Sequence, residues 1–221
     1  MKKFEDILFF TITNRFGGVS KEPYDSLNLA LHVGDDPKSV IQNRILLAQK
    51  YNFSIQNLIY MDQVHSDKIV NIQTPAINKI SKCDAIVTNR RKIPLMVMVA
   101  DCIGVLLFDP IKRVIATIHA GREGILKNIV QKTIINMQKS YCVDPKDLIA
   151  ITTPSIGVCC YEVANNINLD LKSTLKEQLL ISKVKDENIN ISSICTSCDK
   201  NYFSYRRDKI TGRFALVAML R

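Results

Sequence analysis

The sequence predicts a mixed α/β (α+β) fold, a single domain around a mixed β-sheet. Three observations carry this. Residues 95–100, 104–108 and 114–118 are apolar runs with almost no polar alternation, as strands read when both faces of a sheet are covered. Segments with apolar residues three and four apart, the period of a helix, follow these runs and precede them. The two kinds of element do not alternate strictly, so a purely parallel, doubly wound sheet does not fit.

Taken in order, residues 7–13 read as a strand and 15–20, with Gly17 and Gly18, as a loop. Gly34, Asp35, Asp36 and Pro37 start a helix: an Asp side chain caps free N–H groups, and Pro suits the first helical position. That helix runs through Val40, Ile41, Ile45, Leu46 and Ala48 to about Tyr51. Residues 58–61 and 68–72 read as strands around a short turn carrying Gln63, Val64 and His65, and 85–88 as another strand. Asp109 and Pro110 turn the chain between two of the central strands. Residues 122–138 read as one helix, with Ile125, Leu126, Ile129, Val130, Thr133, Ile134 and Met137 on one face. A strand at 148–152 leads into a loop at 154–157, a helix covers 169–180, 188–201 is irregular, and 214–220 is a closing strand.

Composition narrows the function. With 221 residues, 47% hydrophobic and 23% charged, the chain is neither disordered nor a disulfide miniprotein, and one domain over 1–221 is expected. The net charge of +9 favours an anionic partner. The basic residues are scattered and not interleaved with aromatics, so a small anionic substrate is expected and no nucleic acid. No apolar run reaches the roughly 18 to 20 residues that span a bilayer. Lys2 and Lys3 are followed by Glu5 and Asp6, unlike a signal peptide. A cytoplasmic protein is expected, without a membrane partner, as a monomer or small homo-oligomer. Seven cysteines, an odd number, point to reduced thiols, most of them packing as small hydrophobes. Cys195 and Cys198 form a lone CxxC, with no second CxxC to complete a four-sulfur zinc site.

Three ligand-type side chains fall at strand ends: His65, Cys102 and His119. Gathered on one rim, two imidazoles and a thiolate would hold zinc, with copper as competitor, and leave a fourth position for water or substrate. Gly121 and Arg122 then open a helix, where backbone N–H groups and a guanidinium suit an anion. Asp62 and Asp101 flank these ligands and are candidates to orient a histidine. Arg206 and Arg207 read as structural.

Further strings carry a resemblance. Thr13-Asn-Arg15-Phe-Gly-Gly-Val-Ser20, Pro23-Tyr-Asp-Ser-Leu-Asn28, His32-Val-Gly-Asp-Asp-Pro37, Asn43-Arg44, Gln63-Val-His65, Ala100-Asp-Cys102, His119-Ala-Gly121, Pro154-Ser-Ile-Gly157, Cys160-Tyr-Glu162, Cys195-Thr196, Phe203-Ser-Tyr-Arg206-Arg207 and Thr211-Gly-Arg213 occur in order. The chain resembles the laccase-domain family, also called the polyphenol oxidase or peptidoglycan-editing-factor family. The resemblance implies a cysteine-hydrolase-like α/β fold. It also implies a purine nucleoside phosphorylase, acting on adenosine, inosine or methylthioadenosine with phosphate, with adenosine deaminase activity. The family's His, Cys, His metal triad falls on His65, Cys102 and His119. Asn28 and Arg44 become candidates for substrate contact, beside Gly121 and Arg122. Arg122 stands where family members often have Trp, Ile103-Gly104 where Leu-Pro is usual, and Thr153 where Gly is usual, so the pocket wall departs while the triad does not.

Three rivals stay open. One is a metal-free cysteine hydrolase, with Cys102 as nucleophile and His119 as base, the chemistry of peptidoglycan-precursor editing. Another is a copper polyphenol oxidase, for which three histidines are few. The last is a non-catalytic binding module.

Overall fold

The computed structural model describes residues 4–75, 78–164 and 167–221. In chain order the strands are β1 (Leu8–Ile12), β2 (Ile59–Met61), β3 (Ile69–Asn71), β4 (Lys79–Ile80), β5 (Ala85–Thr88), β6 (Leu95–Val99), β7 (Ile103–Asp109), β8 (Val114–Ala120), β9 (Ile149–Thr152), β10 (Glu162–Ala164), β11 (Ile167–Asn168), β12 (Ile189–Asn190) and β13 (Phe214–Leu220). The helices are α1 (Pro37–Tyr51), α2 (Arg122–Leu126), α3 (Ile129–Tyr141), α4 (Leu171–Ile181) and α5 (Tyr205–Asp208).

The mixed α/β class is as the sequence predicts, but the strands divide between two mixed sheets. One has the order β1-β13-β6-β2-β4, the other β12-β9-β7-β8-β5-β3, and β10 and β11 form a separate two-stranded ribbon. The apolar runs explain the layering. In β6, Leu95, Val97 and Val99 face the other sheet, while Met96 and Met98 face α1. In β7, Leu106 and Phe108 point to the same shared core, while Val105 and Leu107 point to the layer of α3 and α4. Successive side chains on a strand leave opposite faces, so a strand buried on both sides must be apolar throughout. The result is four layers: helix, sheet, sheet, helices.

Local chemistry sets the helices. The Asp36 carboxylate accepts from the Lys38 and Ser39 N–H groups, with Pro37 next, and Asn52 in the left-handed region (φ 54°) ends α1. The single helix expected over 122–138 is instead two. Asn128 takes φ 59°, which breaks the helical ladder between α2 and α3. The apolar face continues across the break, since Ile125, Ile129, Val130 and Ile134 pack into one core, but Leu126, expected on that face, is exposed because α2 ends there.

Two connections position the site. The chain leaves the first sheet at the end of β6 and enters the second at β7, crossing at Asp101 and Cys102. It crosses between the same sheets again between β2 and β3, through His65.

Candidate active site

The register of β7 on β8 sets Ile103 against Ala120 and Gly104 against His119. Cys102 therefore lies beside Gly121 and one step from His119. His65 reaches the same rim from its own crossing. Its Nε2 lies 3.8 Å from Cys102 Sγ, and the His65 and His119 rings meet edge to face with centroids 4.7 Å apart. One donor atom from each of the three lies within 4.8 Å of the others. Gly121 is required by space: a Cβ there would stand 2.9 Å from His65 Cδ2 and 3.0 Å from Cys102 Sγ, so a side chain would push the three apart.

The group that orders this cluster is Asp84, which the sequence analysis did not select. Its side chain is fully buried. One carboxylate oxygen accepts from the His65 N–H at 3.1 Å and lies 2.8 Å from His119 Nδ1. The other accepts from the Ser66 N–H at 2.6 Å, the Ser66 hydroxyl at 2.7 Å and the Val64 N–H at 3.3 Å. One carboxylate thus folds the His65 turn and aims His119. With Nδ1 committed to Asp84, Nε2 of His119 faces Cys102. Burial opposes charge on Asp84, but the bonds from His119 and Ser66 outweigh it and hold its pKa down at about 2. The signal was available in Cys83-Asp84 directly before an apolar strand, since an acidic residue entering a doubly covered sheet must find donors.

The thiol and imidazole polarise each other. Burial would raise the Cys102 pKa, but His119 and His65 overcome it and bring it to about 6. Burial would lower that of His119, but Cys102 and Asp84 overcome it and raise it to about 9.

The cluster opens into a cavity of about 580 Å³, in the usual range for small-molecule sites. All three histidines of the chain line it, His32 included. Burial, then Arg213, push the His32 pKa down, so it stays neutral. The same cavity is lined by Arg206, Lys209 and Arg213 and by Tyr161 and Tyr205; the Arg206 guanidinium also donates to the Glu162 carbonyl and that of Arg213 to the Thr211 and Gly212 carbonyls. The sequence analysis read Arg206 as structural and did not select Lys209 or Arg213. These residues come from the last fifth of the chain, and only the closing of β13 onto β6 brings them to the rim. A cleft of about 650 Å³ between α3 and the turn after α4 contains neither imidazole nor thiol.

The other expected site residues fall as follows. Asn28 is fully buried and spends its side chain on Ala30, Asp35 and the Arg213 N–H. Arg44 is buried with its guanidinium on the Leu29 carbonyl, at 2.7 and 2.9 Å, and over the Tyr60 ring. Neither lines the cavity. Arg122 is half exposed, pairs with Glu123 at 3.3 Å and does not line the cavity. Asp62 pairs with Lys79 and orients no histidine. Asp101, at φ 84°, accepts from the Thr196 hydroxyl at 2.7 Å and the Arg206 N–H at 2.6 Å, so it anchors the cavity wall. Gln63 exchanges two hydrogen bonds with Met98, which pins the His65 turn to β6. Arg207 holds the Thr196 and Tyr202 carbonyls and is structural.

The donor set suits a metal. A tetrahedral ion with bond lengths of about 2.0–2.1 Å to nitrogen and 2.3 Å to sulfur separates N and S by about 3.6 Å, close to the 3.8 Å between His65 and Cys102. The remaining side faces the cavity.

Comparison with known proteins gives a consistent picture. A family model described as multi-copper polyphenol oxidoreductase laccase matches residues 9–168 and 163–221. A purine nucleoside phosphorylase of Streptomyces coelicolor is 35% identical, covering 93% of each chain. One of Corynebacterium glutamicum is 37% identical, covering 94% of this chain and 92% of that protein. The crystal structure of YlmD from Geobacillus stearothermophilus superposes with a TM-score of 0.94 at 28% identity, covering 100% of this chain and 94% of that one. No helix among the described residues is long and apolar enough to cross a membrane.

Proposed function

The chain belongs to the family of multi-copper polyphenol oxidoreductase laccases, and we propose that it is a purine nucleoside phosphorylase with adenosine deaminase side activity. The carrying observation is one cavity lined both by His65, Cys102 and His119 and by Arg206, Lys209 and Arg213. The names of the relatives support the phosphorylase part of this reading.

Phosphorolysis forms a bond from a phosphate oxygen to the ribosyl C1′ and breaks the bond from C1′ to the purine. The electron pair leaves with the purine nitrogen, which takes up a proton. The positive charge of Arg206, Lys209 and Arg213 on the cavity attracts and holds a phosphate dianion. Tyr161 and Tyr205 offer flat surfaces for a base. His119, with Nδ1 committed to Asp84, would spend Nε2 on a metal, so the leaving base takes its proton from water in the cavity. Gly121 makes room for the cluster, and the Arg122 guanidinium adds positive charge near Tyr161. Asn28 and Arg44 hold the strap on which His32 sits. A zinc ion, or copper in its place, would be held by His65, Cys102 and His119 and would supply a Lewis acid. The reading treats 1–221 as one catalytic unit working in the cytoplasm on a small nucleoside and phosphate.

The test is turnover of adenosine, inosine and methylthioadenosine by zinc-loaded protein, read as free purine and ribose 1-phosphate. Absence of phosphate-dependent turnover with all three ends the reading. A second reading is favoured by the Cys102, His119 and Asp84 array, which matches a cysteine hydrolase. It predicts activity that survives a chelator and stops on alkylation of Cys102. The phosphorylase reading predicts loss with the chelator and recovery with zinc.

A further inference from the structure

The lone CxxC is not alone in space. Cys159 and Cys160, adjacent in sequence, lie on the turn after Gly157, and an isolated bridge between Ser155 and Cys195 brings that turn against the Cys195–Cys198 loop. One sulfur from each of the four lies within 4.8 Å of the others. Cys198 Sγ stands 3.4 Å from that of Cys160 and 3.8 Å from that of Cys159. A disulfide needs about 2.05 Å, so these are not bonded pairs. Four thiolates around one zinc at about 2.3 Å stand about 3.8 Å apart along each tetrahedral edge, and the spacing found is of that size.

Three further features belong to a metal knot rather than to packing. The Gly157 N–H donates to Cys195 Sγ at 3.2 Å, a bond that favours a thiolate. A Cβ on Gly157 would lie 3.2 Å from Cys159 Sγ and 3.1 Å from Cys195 Cβ, so glycine is what lets the two sulfur-bearing turns close. Lys172, with its ammonium on the Ile194 carbonyl, faces Cys195 and Cys159 and offsets the excess negative charge of four thiolates on a divalent ion. Four reduced thiols this close, two of them exposed, would otherwise invite oxidation.

We propose that Cys159, Cys160, Cys195 and Cys198 hold one structural zinc ion, a site separate from His65, Cys102 and His119. Binding displaces the thiol protons to solvent and adds no redox step. All four coordination positions are filled by protein, so the ion has no open position for chemistry. Its effect is to clasp two loops that build the cavity wall. Ile156 and Tyr161 flank one pair of cysteines, and Thr196, bonded to Asp101, sits inside the other.

The experiment is elemental analysis of the full-length protein, purified under reducing conditions, with Cys102→Ala and Cys198→Ser alongside. Two zinc ions per chain are expected in the unsubstituted protein and one in each variant. Cobalt loaded into Cys102→Ala is expected to give strong thiolate-to-cobalt charge transfer and the visible bands of a tetrahedral ion. The Cys102→Ala arm leaves the four-cysteine cluster intact, so the answer does not hang on whether Cys198→Ser folds. The proposal is overturned by no zinc in Cys102→Ala, by an octahedral cobalt spectrum, or by a disulfide among the four cysteines of freshly isolated protein; a count of one in the unsubstituted protein that Cys102→Ala retains would instead leave the four-cysteine site standing and empty the His65, Cys102 and His119 site.

Discussion

The two clusters of soft ligands in this chain differ in number, depth and surroundings. His65, Cys102 and His119 supply three donors on the lining of a cavity, from exposed His65 to buried His119, backed by a fully buried carboxylate. Cys159, Cys160, Cys195 and Cys198 supply four near the surface, backed by a backbone N–H and a lysine. Three donors leave room for a substrate, and four do not. An imidazole can also move a proton at neutral pH, which a closed set of thiolates cannot. The first arrangement is built for chemistry and the second for holding chain segments together.

If that division is right, the largest effect follows from removing the shared sulfur of the first cluster. Cys102→Ala is expected to lower kcat/KM for phosphorolysis at least about 10³-fold, the scale of losing a principal catalytic group. Thermal unfolding should shift by only a few degrees, since the residue left behind is small and its site already opens to the cavity. A variant retaining a tenth of the activity would break the comparison at its root.

Asp84→Asn comes next. The amide keeps the size but offers one acceptor where the carboxylate serves five donors, and it points an N–H₂ at groups that are themselves donors. A 10- to 100-fold loss of activity or of zinc affinity is expected, as for other partners that orient metal-binding histidines. Parallel titration of zinc and steady-state kinetics read the two. An unchanged affinity together with unchanged kcat would remove Asp84 from the site.

What the sequence could and could not disclose follows the same lines. The doubly buried strands were legible because burial on both faces leaves no polar residue, as in Val105–Phe108. So was α1, from Asp36 and Pro37. His65, Cys102 and His119 were selected because each is a ligand type at a strand end. The division into two sheets was not legible, because an apolar run does not say which neighbour it pairs with. The α2–α3 break was hidden because the apolar spacing continues through Asn128. The four-sulfur cluster escaped because Cys159 and Cys160 lie 35 residues or more before their partners and match no spacing rule for zinc. Arg213 and Lys209 escaped for the same reason: their place depends on how the last strand closes.

The closed cluster should act on stability rather than rate. Cys198→Ser is expected to lower Tm by about 5–10 °C, equivalent to about 2–3 kcal/mol for a chain of this size, while kcat stays within about threefold. Calorimetry with and without chelator measures it. The unsubstituted protein should lose the same increment when stripped of metal, and the variant should lose less. A fall in kcat of tenfold at unchanged Tm would mean that the second cluster takes part in the reaction.

The smallest effect concerns the thiols themselves, and its sign can be worked out. In metal-free protein the Cys102 pKa is pulled from 9.0 to about 6, while burial and the neighbouring Asp84 push that of Cys83 up to about 12. At pH 7 a thiol with a pKa of 6 is about 90% thiolate, against about 1% at a pKa of 9, a gain of about 90-fold. Intrinsic nucleophilicity falls with pKa by a slope of about 0.4–0.5, which removes about 16- to 32-fold over three units. The net gain toward an aromatic disulfide reagent is therefore only about three- to sixfold, and rate alone would hardly distinguish Cys102 from a surface thiol. The pH profile does: reaction of Cys102 should rise to a plateau with a midpoint near 6, and that midpoint should move toward 9 in His119→Asn. The stability terms run with the same signs. The contribution of Cys102 is lost as pH falls through about 6, and that of His119 is lost as pH rises through about 9, so the Tm of the stripped protein should peak between them. A midpoint near 9 in the unsubstituted protein would show that the imidazole does not sit against the thiol, and the open cluster would then be no better prepared for catalysis than the closed one.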